Sequence, residues 1–225
     1  MVEVLGHAPL DCLCIDAEHA PFDRRDLDLA VLAARAADMP SLVRIAHQHP
    51  SEILNALDIG ATGVIVPHVV SGMQADAIVA ACRYGPQGRG YAGSTRAAGY
   101  GTDTMSKIMQ RANAEVTVIA QIEDAEALTQ LDAIAAVEGI DALFVGRMDL
   151  TVSLGAQSPH DPIVLDAVNA ICEAAKRHGR SVGMFTQTTD EARQWQKAGA
   201  SLFLLASEHQ WMLQGARSLR REFEQ

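Results

Sequence analysis

Lysine is nearly missing from this 225-residue chain: Lys107, Lys176 and Lys197 are the full set, and each falls on a predicted helix surface. A Schiff-base mechanism needs an amine desolvated inside a site. That chemistry is therefore excluded, and any carbonyl activation falls to a metal ion. Cysteine is sparse too. Cys12, Cys14, Cys82 and Cys172 include no CxxC pair, which argues against a disulfide framework or a cysteine zinc site and fits a reduced compartment. No apolar run is long enough to span a bilayer and no N-terminal signal pattern is present, so a cytoplasmic location is expected. Positive charge is in deficit: 18 Lys and Arg face 28 Asp and Glu, a net charge of −10. This argues against a nucleic-acid-binding surface, although local arginines can still meet an anionic small molecule.

With 48% of residues hydrophobic and 20% charged, the composition is that of an ordinary globular protein. Short β-branched and apolar runs at residues 10–18, 41–46, 63–70, 116–123, 140–146, 181–186 and 201–206 read as strands. Helical patterns fall at 22–38, 51–59, 72–84, 102–113, 124–137, 162–178, 189–198 and 210–223, with Asp23 as a cap and Gly179 as a stop. Loops are expected at 85–101 and 147–155. Strands alternating with helices imply an α/β fold with a parallel sheet and helices outside. Polar residues gather at the C-terminal strand ends, as in a (β/α)8 TIM barrel. A barrel needs eight strands, and the chain offers seven behind a helix-like piece at 2–7. The expectation is a single domain over 1–225, a TIM barrel with its first strand missing from this sequence.

The central strand is Val116-Thr-Val-Ile-Ala-Gln-Ile-Glu123. Side chains alternate along a strand, so Thr117, Ile119, Gln121 and Glu123 share one face, and Val118, Ala120 and Ile122 share the other. Gln121 and Glu123 therefore emerge together at a buried strand end. An unpaired buried carboxylate is costly, so Glu123 needs a cation, a proton or a partner. The strand at 140–146 delivers a second acid, Asp149, just past its own end. Two carboxylates at two strand ends suit a hard-metal site of oxygen ligands; the alternative is that each caps a helix or turn. Asp16, Glu18 and His19 end the first strand, a pattern suited to general acid–base work, since a carboxylate fixes and strengthens a histidine base. Arg44, between apolar strand neighbours, needs an anion. That anion is either a substrate oxyanion or a structural partner such as Asp16 or Glu123. Asp58 opposes its helix dipole and so calls for a partner. His47, His49 and His68 lie near strand ends as candidates for substrate contact, against the alternative of exposed loop histidines. The glycine- and arginine-rich loop at 85–101 could wrap anions, and with 47–50 it is expected to shape the barrel mouth.

These motifs converge on a family. Ile15-Asp-Ala-Glu-His-Ala-Pro21, Val43-Arg44, Leu57-Asp-Ile-Gly-Ala61, Gly63-Val-Ile-Val-Pro67, Arg89-Gly90 with Arg96-Ala97, Gln121-Ile-Glu123, and Asp149-Leu with Ser153-Leu-Gly155 occur in order over about two-thirds of the chain. Together they resemble the class II, metal-dependent pyruvate aldolases of the HpcH/HpaI type. The resemblance implies metal ligands at Glu123 and Asp149; such all-oxygen ligation favours magnesium, manganese or cobalt as the divalent ion. It also implies a catalytic histidine at His19 supported by Asp16, and an enolate-stabilising arginine at Arg44. It puts a glutamine beside the metal at Gln121 and an acid at Asp58 that reaches the histidine of a neighbouring subunit. The substrate carboxylate is expected at backbone amides beside Asp149, at Met148. A homohexamer with a domain-swapped final helix, about 210–223, is implied as well. Two departures stand out: the absent first strand, and Gly146-Arg-Met-Asp-Leu150 where the family usually has Gly-Pro-x-Asp-Leu, which adds the charge of Arg147.

The implied reaction is cleavage or formation of a 4-hydroxy-2-oxo acid through a pyruvate enolate and an aldehyde. The alternatives are a lyase like those acting on malyl- or citramalyl-coenzyme A, and a catalytically silent barrel that binds an oxo acid. If Arg44 stabilises the enolate, R44A depresses turnover far more than folding, as read by steady-state kinetics beside urea denaturation. Equal losses in both identify a structural ion pair.

Overall fold

The computed structural model describes residues 1–224 and shows, among them, seven parallel strands hydrogen-bonded in chain order. They are β1 (Leu13–Asp16), β2 (Ser41–Arg44), β3 (Gly63–Val66), β4 (Thr117–Ile122), β5 (Ala142–Val145), β6 (Ser181–Thr186) and β7 (Leu202–Leu205). The sheet curls into a nearly closed barrel of the TIM type, one strand short, with its open seam between β1 and β7. Around it run α1 (Val2–Leu5), α2 (Arg24–Ala36), α3 (Pro50–Asp58), α4 (Gly72–Cys82), α5 (Met105–Glu115), α6 (Leu131–Ala136), α7 (Arg147–Ser153), α8 (Pro162–Arg177), α9 (Thr189–Lys197) and α10 (Glu208–Phe223).

Alternation along the strands makes two apolar layers. Val43, Val64, Val66, Val118, Ala120, Ile122, Leu143 and Val145 face outward and pack under the helices. Leu42, Ile65, Ile119, Ala142 and Phe144 face inward and fill the barrel, joined by Cys12, Cys14, Leu202 and Leu204 near the seam. The helices supply matching stripes. α2 buries Leu27, Val31 and Ala34, and a reciprocal capping box between Asp23 and Asp26 starts it. α8 opens with Pro162, whose missing N–H costs nothing at that position, and buries a stripe from Val164 to Ala175.

Two segments differ from the sequence reading. The helix expected at 124–137 is a 3-10 turn, Ala125–Thr129, followed by α6, the break falling at Gln130. The loop expected at 147–155 begins as α7. Only Leu150 and Thr151 of α7 are buried, too short a stripe to read as a period. Deleting inward-facing bulk leaves a cavity that a closed barrel relaxes poorly. Ile119→Ala is expected to cost about 2–5 kcal/mol in urea denaturation, whereas Leu32→Ala, at an exposed position of α2, stays within about 0.5 kcal/mol.

Candidate active site

Parallel pairing sets Asp16 of β1 directly beside Arg44 of β2, both inward-facing at the C-terminal end of the sheet. The guanidinium forks onto the carboxylate, Nε to Oδ1 at 2.9 Å and one terminal nitrogen to Oδ2 at 2.6 Å. Its other nitrogen lies 3.3 Å from Glu18 Oε2. Asp16 Oδ1 also accepts the backbone N–H groups of Glu18 and His19, at 3.0 and 3.3 Å. Burial acts to raise the Asp16 pKa, but the Arg44 fork and these amides outweigh it and hold the carboxyl below its ordinary value. Burial pushes Glu18 upward, with Arg44 opposing and the Glu123 charge adding to it.

Glu123 follows β4, and its side chain is 1% exposed. Its Oε1 accepts the His68 backbone N–H at 2.8 Å, and its Oε2 accepts Gln121 Nε2 at 2.5 Å. These donors orient the carboxylate without neutralising it. His68 reaches that position in a left-handed conformation, φ 56°, uncommon and strained for a residue with a Cβ. Gln48 stabilises the bend by donating to the carbonyls of Pro67 and His68 at 2.8 and 2.6 Å. The His68 ring meets Asp124 through Nδ1, 2.9 Å from Oδ2. Burial would lower its pKa, yet the Asp124 hydrogen bond and the charges of Glu123, Asp124 and Glu18 raise it.

Four carboxylates, Asp16, Glu18, Glu123 and Asp124, thus share one guanidinium and two imidazoles, those of His68 and the exposed His19. Two buried oxygens, Glu18 Oε2 and Gln121 Oε1, have no hydrogen-bond partner. An excess of buried negative charge with oxygen lone pairs left open fits a divalent cation. Ligand atoms of Glu18, His68 and Glu123 all lie within 4.8 Å of one another.

α7 begins against this cluster. A Cβ at Gly146 would stand 2.6 Å from both Glu123 Cβ and Oε2, so glycine is required by close approach alone. Met148 and Asp149 lie exposed in the first turn of α7. At its far end Ser153 Oγ accepts the Ala125 N–H at 2.8 Å, tying α7 to the segment after Glu123. The extra charge of Arg147 is met by Glu191 at the start of α9, and its guanidinium lies 6.0 Å from the Trp195 ring centroid.

The structure therefore brings Asp16, Arg44, Gln121 and Glu123 together, with His19 beside them, 62% exposed and 3.8 Å from Glu18 Oε2. It does not bring Asp58. That residue ends α3 at the opposite end of the sheet, where its Oδ1 accepts from the buried Arg89 at 2.5 Å. The loop at 85–101 also lies there and not at the mouth. Its Arg96 binds the Ile59 carbonyl at 2.6 Å, and its Ala97 N–H binds the Asp58 carbonyl. The physical reason is topological: the loop leaves the C-terminus of α4 on the way back to a strand, and in a parallel sheet such connections lie at the N-terminal strand ends. His49 is an N-cap, accepting the Ser51 N–H. Glu18 stood in the sequence as part of an acid–histidine run, but its place in the buried cluster did not. Gln48 gave no signal at all. All three lysines are exposed on helices.

The model of the HpcH/HpaI aldolase/citrate lyase family matches residues 1–214. The chain is 37% identical to a hydroxypyruvate/pyruvate aldolase of Paraburkholderia phytofirmans, over 98% of this chain and 87% of that protein. It is 35% identical to a 5-keto-4-deoxy-D-glucarate aldolase of Klebsiella pneumoniae, over 92% of this chain and 80% of that one. A crystal structure of an HpcH/HpaI aldolase/citrate lyase family protein from Burkholderia cenocepacia superposes with a TM-score of 0.93 at 38% identity, covering 100% of this chain and 90% of that one. The chain belongs to the HpcH/HpaI aldolase/citrate lyase family. Its reaction class is that of the class II aldolases, which are carbon–carbon lyases.

Gly146→Ala tests the packing of Glu123. An overpacked site typically costs about 1–3 kcal/mol, and here the added methyl also displaces the carboxylate. Aldolase turnover is expected to fall well beyond what the urea midpoint explains; wild-type turnover in the folded variant defeats the assignment.

Proposed function

We propose that this aldolase cleaves and forms 4-hydroxy-2-oxo acids, with pyruvate as the oxo-acid product and an aldehyde as its partner. The observation that carries this reading is the buried Glu123 carboxylate, oriented by neutral donors and clustered with Glu18 and His68 beside Arg44. Glu123, with Asp149 from α7, would hold a magnesium, manganese or cobalt ion. Such an ion, when bound, supplies a Lewis acid for a 2-oxo group. Gln121 fixes Glu123 by its short hydrogen bond. The substrate carboxylate lies beside Met148 and Asp149, as the family resemblance implies.

Arg44 presents its guanidinium to the negative charge that develops when the C3–C4 bond breaks. Asp16 serves Arg44 first, by locking its fork, and it braces His19 through the backbone amide. His19 moves the proton of the C4 hydroxyl, directly or through water. Asp58 of the partner subunit completes the histidine's surroundings in an oligomer, since within one chain it lies at the other end of the sheet. α10 supports such an assembly. None of its residues is buried, and Trp211, Met212, Leu213, Leu219 and Phe223 stand exposed along it. We read α10 as the element exchanged between subunits of a homohexamer. The four free cysteines support a cytoplasmic setting.

The test is pyruvate release from a panel of 4-hydroxy-2-oxo acids, before and after metal stripping, with magnesium, manganese or cobalt restored. Release that vanishes on stripping and returns with metal is expected. No release from any substrate with any of the three ions overturns the reading.

A further inference from the structure

His68 is used by nothing in the mechanism above, yet the structure invests heavily in it. Its backbone bends into the left-handed region, Gln48 braces the carbonyls on both sides of that bend, and its N–H orients Glu123. The ring has one side engaged. Nδ1 lies 2.9 Å from Asp124 Oδ2 and 3.5 Å from Glu123 Oε1, so the neutral tautomer that suits these carboxylates carries its hydrogen on Nδ1. In that tautomer Nε2 keeps a free lone pair, aimed toward the carboxylates, 3.8 Å from Glu18 Oε1. A histidine that donates one ring N–H to a carboxylate and offers its other nitrogen is the arrangement by which proteins orient metal-binding imidazoles.

A second observation points the same way. The Glu18 side chain is only 10% exposed, and its Oε2 is buried with no hydrogen-bond partner. Arg44 lies near that oxygen but spends its fork on Asp16. Gln121 Oε1, beside Glu123, is orphaned as well. Ligand atoms of Glu18, His68 and Glu123 lie within 4.8 Å of one another, so a single ion placed among them would meet all three.

We propose that His68 is a nitrogen donor to the metal site through Nε2, and that it and Glu18 join the Glu123 carboxylate there, beside Asp149. The inference rests on the reading that Glu123 holds a divalent ion, and it adds a chemical consequence to it. Purely oxygen sites suit magnesium or manganese, whereas imidazole favours later first-row ions. This chain therefore prefers cobalt(II) to magnesium, and the preference resides in His68. Asp124 is the positioning residue for the ring.

The experiment titrates metal-free protein with cobalt(II) chloride and with magnesium chloride. Affinity is followed by calorimetry, and the cobalt environment by its visible absorption, neither of which needs turnover. Wild type is expected to bind cobalt far more tightly than magnesium. H68Q should lower cobalt affinity about tenfold or more and alter the cobalt spectrum, with magnesium affinity changed much less. D124N keeps the imidazole but releases it, and should lower cobalt affinity about tenfold. It keeps the proposal falsifiable if H68Q fails to fold, which a melting curve reports. Wild-type cobalt affinity and spectrum in both H68Q and D124N, with binding abolished in E123Q, overturn the role of His68 while leaving the metal reading intact. Cobalt binding that is unaffected by E123Q, or absent from wild type, overturns both.

Discussion

An uncompensated negative charge at the mouth of the barrel is the constraint on which the rest of the site depends. Glu123 is held from two sides by neutral donors, the His68 amide and the Gln121 side chain. Those donors give the carboxylate direction but no counter-charge; a protonated His68 ring, 3.5 Å from Oε1, would add one. Arg44, the guanidinium within reach of the cluster, is committed to Asp16 and Glu18. A low-dielectric site tolerates that imbalance only with a cation or a proton to offset it. The neighbouring structure can be understood as accommodation of this charge: glycine at 146 for clearance, a strained bend at His68 to deliver an N–H, and Gln48 to hold the bend.

Strand alternation made much of this visible before any coordinates. It put Gln121 and Glu123 on one face of β4 and Val118, Ala120 and Ile122 on the other, and the two apolar layers follow that division. It also put Asp16 and Arg44 at adjacent strand ends. What stayed hidden lies beyond the last strand residue, where no period operates. His68 takes a left-handed conformation uncommon for any residue with a Cβ, and no local pattern announces it. Gln48 acts through an amide reaching two carbonyls about 20 positions away, which leaves no trace in local pattern. Arg147 looked like an additional charge near the site because its partner Glu191 lies 44 residues on. The loop at 85–101 was expected at the wrong end because its glycines and arginines suggested anion binding more loudly than its position after α4, on the return to β4, suggested location.

The two ends of the barrel carry different kinds of ion pair. At the mouth, Asp16 and Arg44 are partly exposed and pre-aligned by parallel register. At the other end, Arg89 is 1% exposed, held by Asp58 and lying 4.9 Å from the Tyr84 ring centroid. A fully desolvated guanidinium of that kind is costly to leave unpaired. It fixes the long loop to the end of α3 and so shapes the lower rim of the barrel.

The scarcity of lysine has a practical side. Lys176 and Lys197 sit in the last turns of α8 and α9, at the end of the barrel away from the carboxylate cluster. Reagents that acylate amines would find these handles on the back of the molecule. Attached to a solid support through either of these two, rather than through the third exposed lysine, Lys107 on α5, the protein would stand with its mouth outward, open to the surrounding liquid.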